Sequence, residues 1–251
     1  MTHITSHHNQ KLKEIRRLGQ RRRWRERSGL FVAEGEDLLS VADAQGWNAI
    51  ERYAAAGSGL PGTEVEPGVL ASASGLGSGT RTLAVYEARW ASGPAGPLCV
   101  YLHGVHDPGN VGAVLRSAQA FGASCVTLGP GTADPYSPKA VRASMGAVFA
   151  VPLARGTVDE LPGVKVALVP RAGKPLDVLW RSTFAYDRSS AKELREACLM
   201  IGAERDGLPD EIVASADHVA HIPIATDSLN AAMAATIALY ELSRRMAPEP
   251  E

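Results

Sequence analysis

The side chains best placed to do chemistry fall in three short stretches. The first, Asp107-Pro108-Gly109-Asn110-Val111-Gly112-Ala113-Val114-Leu115-Arg116, sets an amide and a guanidinium near the start of a helix. The second, Gly202-Ala203-Glu204-Arg205-Asp206-Gly207, holds a carboxylate between two glycines, and the third, Ile222-Pro223-Ile224-Ala225-Thr226-Asp227-Ser228-Leu229-Asn230, ends on a hydroxyl and a second amide. An amide and a cation where a strand hands over to a helix suit a ligand crevice, the usual binding place in open α/β sheets. Gly202 and Gly207 would let the backbone approach a ligand closely or take positive φ. Each stretch taken alone also has a plain structural account, with Asn110 and Ser228 as helix N-caps, Glu204 at the tip of a turn and Arg116 on a wet helix face.

The elements that must position these residues are legible around them. A strand-like run leads into each stretch: Leu98 to Val105, Ala197 to Ile201 and His218 to Ile224. Ser124 to Leu128, Ala147 to Leu153 and Val164 to Val169 read as further strands, with helices introduced by Ser137-Pro138 and by Pro209 and a last helix from Leu229. This alternation predicts a mainly parallel α/β sheet covered on both faces. Val111, Val114, Leu115 and Ala118 form the apolar stripe of the first helix. Leu229, Met233, Ile237 and Tyr240 do so in the last, where Ala231, Ala232, Ala234, Ala235 and Ala238 keep the other faces thin, and core packing is expected for Met233 and the alanines. The polar connection from 171 to 196 reads as irregular and as a place that carries function.

Upstream, residues 1–9 read as loose. Residues 11–27 then carry nine basic side chains against Glu14 and Glu26, with Leu12, Ile15 and Leu18 at helical spacing, in a chain whose net charge is -1. Such a one-sided cluster suits a polyanion, and Arg21, Arg22, Arg23, Arg25 and Arg27 are candidates for phosphate contact, gaining by counterion release. Leu30 to Gly35 reads as a strand, Glu36 to Ala44 as a helix, Ala49 to Ala56 and Thr82 to Tyr86 as strands, and 57–80 as a Gly-, Ser- and Pro-rich stretch without periodicity. The small, proline-stiffened run Ala91-Ser92-Gly93-Pro94-Ala95-Gly96-Pro97 marks a boundary. The expected organisation is a small α/β domain at 1–92, a linker at 93–97 and an α/β domain at 98–251.

Composition narrows the chemistry. With 45 % apolar residues the chain can build a sizeable core. No apolar run approaches a membrane span or a signal peptide's apolar segment, so the expected location is cytoplasmic with no membrane partner. Cys99, Cys125 and Cys198 lie in apolar runs and read as buried thiols, and the seven histidines show no ligand spacing, so no metal is expected. No GxGxxG fingerprint and no Walker lysine motif supports a nucleotide-binding Rossmann enzyme.

Taken together, Asn110-x-Gly112-x-x-x-Arg116, Gly202-x-Glu204-x-x-Gly207 and Ile222-Pro223 with Ser228-Leu229-Asn230 resemble, in order and separation, the three motifs of the SpoU (TrmH-like) branch of the SPOUT RNA methyltransferases. The resemblance covers about residues 98 to 246, and the first 90 residues resemble the ribosomal-protein-like substrate-binding domain that precedes it in many members. It implies a deep trefoil knot, bound S-adenosylmethionine, a homodimer and methylation of a ribose 2′-hydroxyl in RNA, ribosomal RNA first and transfer RNA second. Carried over by position, Gly202, Ile222 and Leu229 contact the cofactor, and Asn110, Arg116, Glu204, Ser228 and Asn230 form the catalytic set. Arg116 stands at the 2′-hydroxyl as base or as stabiliser of the developing alkoxide; since a guanidinium normally stays protonated, the first role needs an unusual setting. The loop from Ile222 to Leu229 is two residues shorter than the family's commonest form and lacks its frequent glycine. An inert RNA-binding protein is the alternative, and it would leave Asn110, Arg116, Glu204 and Asn230 without a task.

Overall fold

The structure, a computed structural model, describes residues 3–75, 79–183 and 196–246. In chain order its elements are α1 (Gln10–Gln20), α2 (Arg22–Ser28), β1 (Leu30–Glu34), α3 (Glu36–Ala44), β2 (Glu51–Ala55), β3 (Thr63–Val65), α4 (Pro67–Ala73) and β4 (Thr82–Glu87). There follow β5 (Leu98–Leu102), α5 (Pro108–Ala120), β6 (Cys125–Leu128), α6 (Pro138–Ala143), α7 (Ala147–Ala150), β7 (Leu153–Arg155), β8 (Val164–Leu168) and β9 (Lys174–Pro175). The last are α8 (Leu176–Thr183), β10 (Ala197–Ile201), α9 (Asp210–Ala214), β11 (His218–His221) and α10 (Ala231–Met246).

Two compact units emerge, one of residues 1–89 with 134–150, the other of residues 90–133 with 151–251. The first unit is built on a four-stranded sheet of order β1-β4-β2-β3, antiparallel except where β2 meets β3. Asn9 caps α1 through the backbone N–H of Lys11 and Leu12, and Leu12, Ile15 and Leu18 bury one face of that helix. The N-terminal residues are not loose throughout: Ile4 is buried, and its N–H donates to the Glu64 carbonyl at 2.9 Å. The stretch read as featureless, 57–80, contains β3 and α4.

Segment 134–150, expected in the second domain, packs with the first unit. Its anchor is Arg25, only 7 % exposed, whose Nε donates to Asp134 Oδ2 at 2.7 Å and whose Nη1 donates to the Leu18 carbonyl at 2.5 Å. A buried charge persists only when paired and hydrogen-bonded, and Asp134 meets that need. Arg25 therefore leaves the set of arginines expected to reach RNA, because its charge is spent inside the fold. Phe149, in the same segment, stacks edge-on with Trp47 and accepts the indole N–H at 2.8 Å. Ala147 to Ala150, expected as part of a strand, is α7.

The second unit holds a seven-stranded sheet of order β7-β6-β5-β10-β8-β11-β9, parallel throughout. Every residue of β5, β6 and β10 is buried, as expected of strands covered on both faces. Cys198, Cys99 and Cys125 lie in register across these three strands and are free and buried. A hydrogen bond with Cys99 and burial hold the Cys125 thiol far above its ordinary range, so it stays protonated and inert. The expected linker is tied down at its start, since the Ala91 N–H donates to the Leu153 carbonyl on β7 at 2.7 Å. Part of the connection from 171 to 196 is regular, forming β9 and α8, while residues 184–195 lie outside the described residues.

Candidate active site

Because the sheet is parallel, the loops after β5, β8, β10 and β11 leave the same edge, where ligands of open α/β sheets bind. The loop after β5 enters α5 through Asp107, whose carboxylate accepts from the Gly109 N–H at 2.6 Å, with Pro108 at the first helical position. Asp107, and not Asn110, is thus the cap, so the Asn110 side chain is released for another use. It finds that use at once. Asn110 Nδ2 donates to Glu204 Oε1 at 2.5 Å, and Asn110 Oδ1 accepts from Asn230 Nδ2 at 3.0 Å. One amide therefore joins all three stretches.

Glu204 is presented by a tight turn. Ala203 and Gly207 exchange both backbone hydrogen bonds at 3.0 Å, and Gly207 closes the turn at φ +68°. At Gly202 a Cβ would lie 2.1 Å from the Gly207 carbonyl carbon, so no side chain fits there. Gly202→Ala is expected to spread this turn, lowering Tm by several degrees and abolishing ligand binding at the cleft; a thermal scan with calorimetry checks both. Asn230, rather than Ser228, caps α10, its Oδ1 accepting from the N–H groups of Ala232 at 2.9 Å and Met233 at 3.3 Å. Its Nδ2 faces Asn110 while its Oδ1 faces the helix, so both ends of the amide are employed.

A cleft of about 290 Å³ opens beside this network. Leu168, Val169, Pro170, Ile222, Ile224 and Leu229 line it, with Glu204, Asp227 and Ser228 supplying polar groups. Gly202, Ile222 and Leu229, the expected cofactor contacts, all line it, whereas Asn110 and Asn230 brace its rim from outside. The Gly202 backbone, closed to any side chain, and the apolar walls with a few polar groups suit a flat, partly apolar nucleoside.

Arg116 is not brought into this cleft within one chain. It is exposed two turns along α5 and makes no hydrogen bond or ion pair among the described residues. Helices α5 and α10 run side by side, joined at Asn110 and Asn230, at Ser117 and Thr236 (2.6 Å between hydroxyls) and at Phe121 and Tyr240 (5.8 Å between ring centroids). Ala231, Ala232, Ala235 and Ala238 are buried as expected, but Met233, Ile237 and Tyr240 are 62 %, 38 % and 45 % exposed. Met233, expected in the core, therefore lies with Ile237 and Tyr240 on an open face.

Sequence reasoning did not single out Asp107 as the cap, although Pro108 after it was the available signal. It also passed over Arg171, which has no motif around it and whose guanidinium pairs with Asp227 at the rim of the cleft.

The sequence profile of the SpoU rRNA Methylase family matches residues 97–240. The chain is 29 % identical to the 23S rRNA (guanosine(2553)-2'-O)-methyltransferase RlmP of Bacillus subtilis over 96 % of its own length and 99 % of that protein's. It is 41 % identical over 153 residues to a Syntrophobacter fumaroxidans protein named ribosomal RNA small subunit methyltransferase G 2, of which it spans only 28 %. Among solved structures, an AdoMet-bound rRNA methyltransferase from Sinorhizobium meliloti superimposes with a TM-score of 0.83 at 31 % identity, covering 98 % of this chain and 99 % of that one.

Proposed function

The chain belongs to the SpoU rRNA methylase family, and from that premise we propose that it transfers a methyl group from S-adenosylmethionine to a ribose 2′-hydroxyl of ribosomal RNA. The observation that carries this reading is the single amide of Asn110 joining Glu204 and Asn230 beside a cleft floored by Gly202. S-adenosylmethionine, when bound, supplies an electrophilic methyl group. The protein's own work is to align a weak nucleophile and manage one proton.

In this reading Gly202, Ile222 and Leu229 hold the cofactor, while Asn110, Glu204 and Asn230 fix the loops that face it and Ser228 offers an exposed hydroxyl at the rim. Arg116 stabilises the alkoxide that develops on the ribose. That role needs a second copy of the chain, which the reading includes. The open face of α10, with Met233, Ile237 and Tyr240, is the kind of contiguous apolar patch that a homodimer covers, and Arg116 stands on the helix beside it. The trefoil knot belongs to the same reading, supported by the insertion of β10 between β5 and β8. Among the described residues no helix is long and apolar enough to cross a membrane, which agrees with work in the cytoplasm on ribosomal RNA.

Substrate grip falls to the first unit. Arg21, Arg22, Arg23 and Arg27 are exposed, whereas Arg16 is tied to the carbonyls of His7 and Ser72. Replacing Arg21, Arg22 and Arg23 by alanine is expected to weaken RNA binding and to flatten its dependence on salt by about two to three phosphate contacts; titrations at several ionic strengths read the slope. The function itself is tested by incubating the protein with S-adenosylmethionine and unmodified ribosomal RNA and mapping 2′-O-methyl groups. Methylation of a base, or of no RNA, would overturn it.

A further inference from the structure

The loop that carries Ser228 has little to hold it. Residues 225–228 are exposed, and the hydrogen bond within them, from Thr226 Oγ1 to the Ser228 carbonyl, is long at 3.4 Å. Among the described residues, every hydrogen bond that ties residues 224–228 to another segment comes from Arg171. Its Nη2 donates to the Thr226 carbonyl at 3.5 Å and to the Asp227 carboxylate. Arg171 directly follows Val169 and Pro170, which also line the cleft. The guanidinium therefore links the cleft-lining segment after β8 to the loop after β11.

Its backbone is unusual as well. Arg171 sits at φ +59°, a left-handed conformation that a non-glycine residue holds only under constraint. The constraint lies beside it: at Gly173 a Cβ would come within 2.0 Å of the Val219 carbonyl oxygen, and the Ala172 carbonyl lies 3.3 Å from His221 Nδ1. The turn is thus pressed onto β11, and the strained residue is the one whose side chain reaches back over the cleft.

We propose that Arg171 is a positioning residue that latches the loop of residues 224–228 across the mouth of the cofactor cleft. The inference rests on the cofactor reading given above. Because the pair is exposed, the latch is a light one that yields for cofactor exchange.

The test is calorimetry and stopped-flow binding of S-adenosylmethionine to the full chain carrying R171A, R171K, D227R or the double reversal R171D/D227R. R171A is expected to bind about fivefold more weakly, chiefly by faster dissociation, with R171K intermediate. D227R sets two cations together and weakens binding further, and the double reversal returns affinity to within about twofold of the parent, as coupled residues should. Catalytic turnover at saturating cofactor stays unchanged in R171A while KM for the cofactor rises. Without ligand, amide exchange at residues 226–228 accelerates. Binding that ignores R171A, or a double reversal no better than D227R, would overturn the latch alone. Failure of the unsubstituted protein to bind would instead overturn the cofactor reading beneath it.

Discussion

Arg116→Ala is expected to lower methyl transfer by about a thousandfold while cofactor affinity stays within about twofold, because it removes charge stabilisation at the reacting oxygen and nothing from the cleft. Arg116 lines no wall of the cleft and bonds to nothing among the described residues, so its loss leaves the folded chain undisturbed. Single-turnover methylation and calorimetry separate the two quantities, and a parallel loss of both would remove the assigned role. The position of Arg116 on the outer face of α5 sharpens the test. If it serves the cleft of a second copy, mixing R116A with an inactive Glu204→Ala protein restores about a quarter of the activity, since half the mixed pairs' sites are whole. No restoration would show that Arg116 does not serve the cleft of a second copy.

Asn110→Ala comes next, with an expected loss of about a hundredfold in methyl transfer and cofactor affinity held within about threefold. The Asn110 amide is donor to Glu204 and acceptor from Asn230, so alanine unties three loops at once and leaves each free to drift by the fraction of an ångström that alignment cannot absorb. Asn110→Asp is the sharper variant. It keeps the shape and the acceptor for Asn230 but turns a carboxylate oxygen toward Glu204, where two like charges repel at hydrogen-bond distance. It is therefore expected to be no better than alanine. Wild-type turnover in either variant would show that the network is only a scaffold.

Much of the second unit was legible in the sequence because fully buried parallel strands are written as near-continuous apolar runs, and β5 and β10 are such runs. The three loops were legible through turn chemistry, glycine and proline placed where strands give way to helices. What resisted reading has physical reasons. Ala147-Val148-Phe149-Ala150 is too short for its apolar pattern to tell helix from strand. β3 is three residues long and is recruited partly by Ile4, far away in sequence. Arg25 looks like its basic neighbours until Asp134, remote in the chain, comes to meet it. Met233, Ile237 and Tyr240 do form an apolar face, but periodicity cannot say whether the cover for such a face is supplied by the same chain.

The excursion of residues 134–150 into the first unit has an evolutionary consequence. A proline-rich joint such as 91–97 invites the view that the front of the gene is a cassette, free to be swapped among methylases to change the RNA they visit. Here the cassette is not closed at that joint, since its arginine 25 would be inherited without the aspartate that neutralises it. Any recombination that trades the first unit must carry both pieces, and so, on the proposed substrate role of that unit, specificity is expected to drift by point substitution on its exposed helices more readily than by exchange of the whole unit.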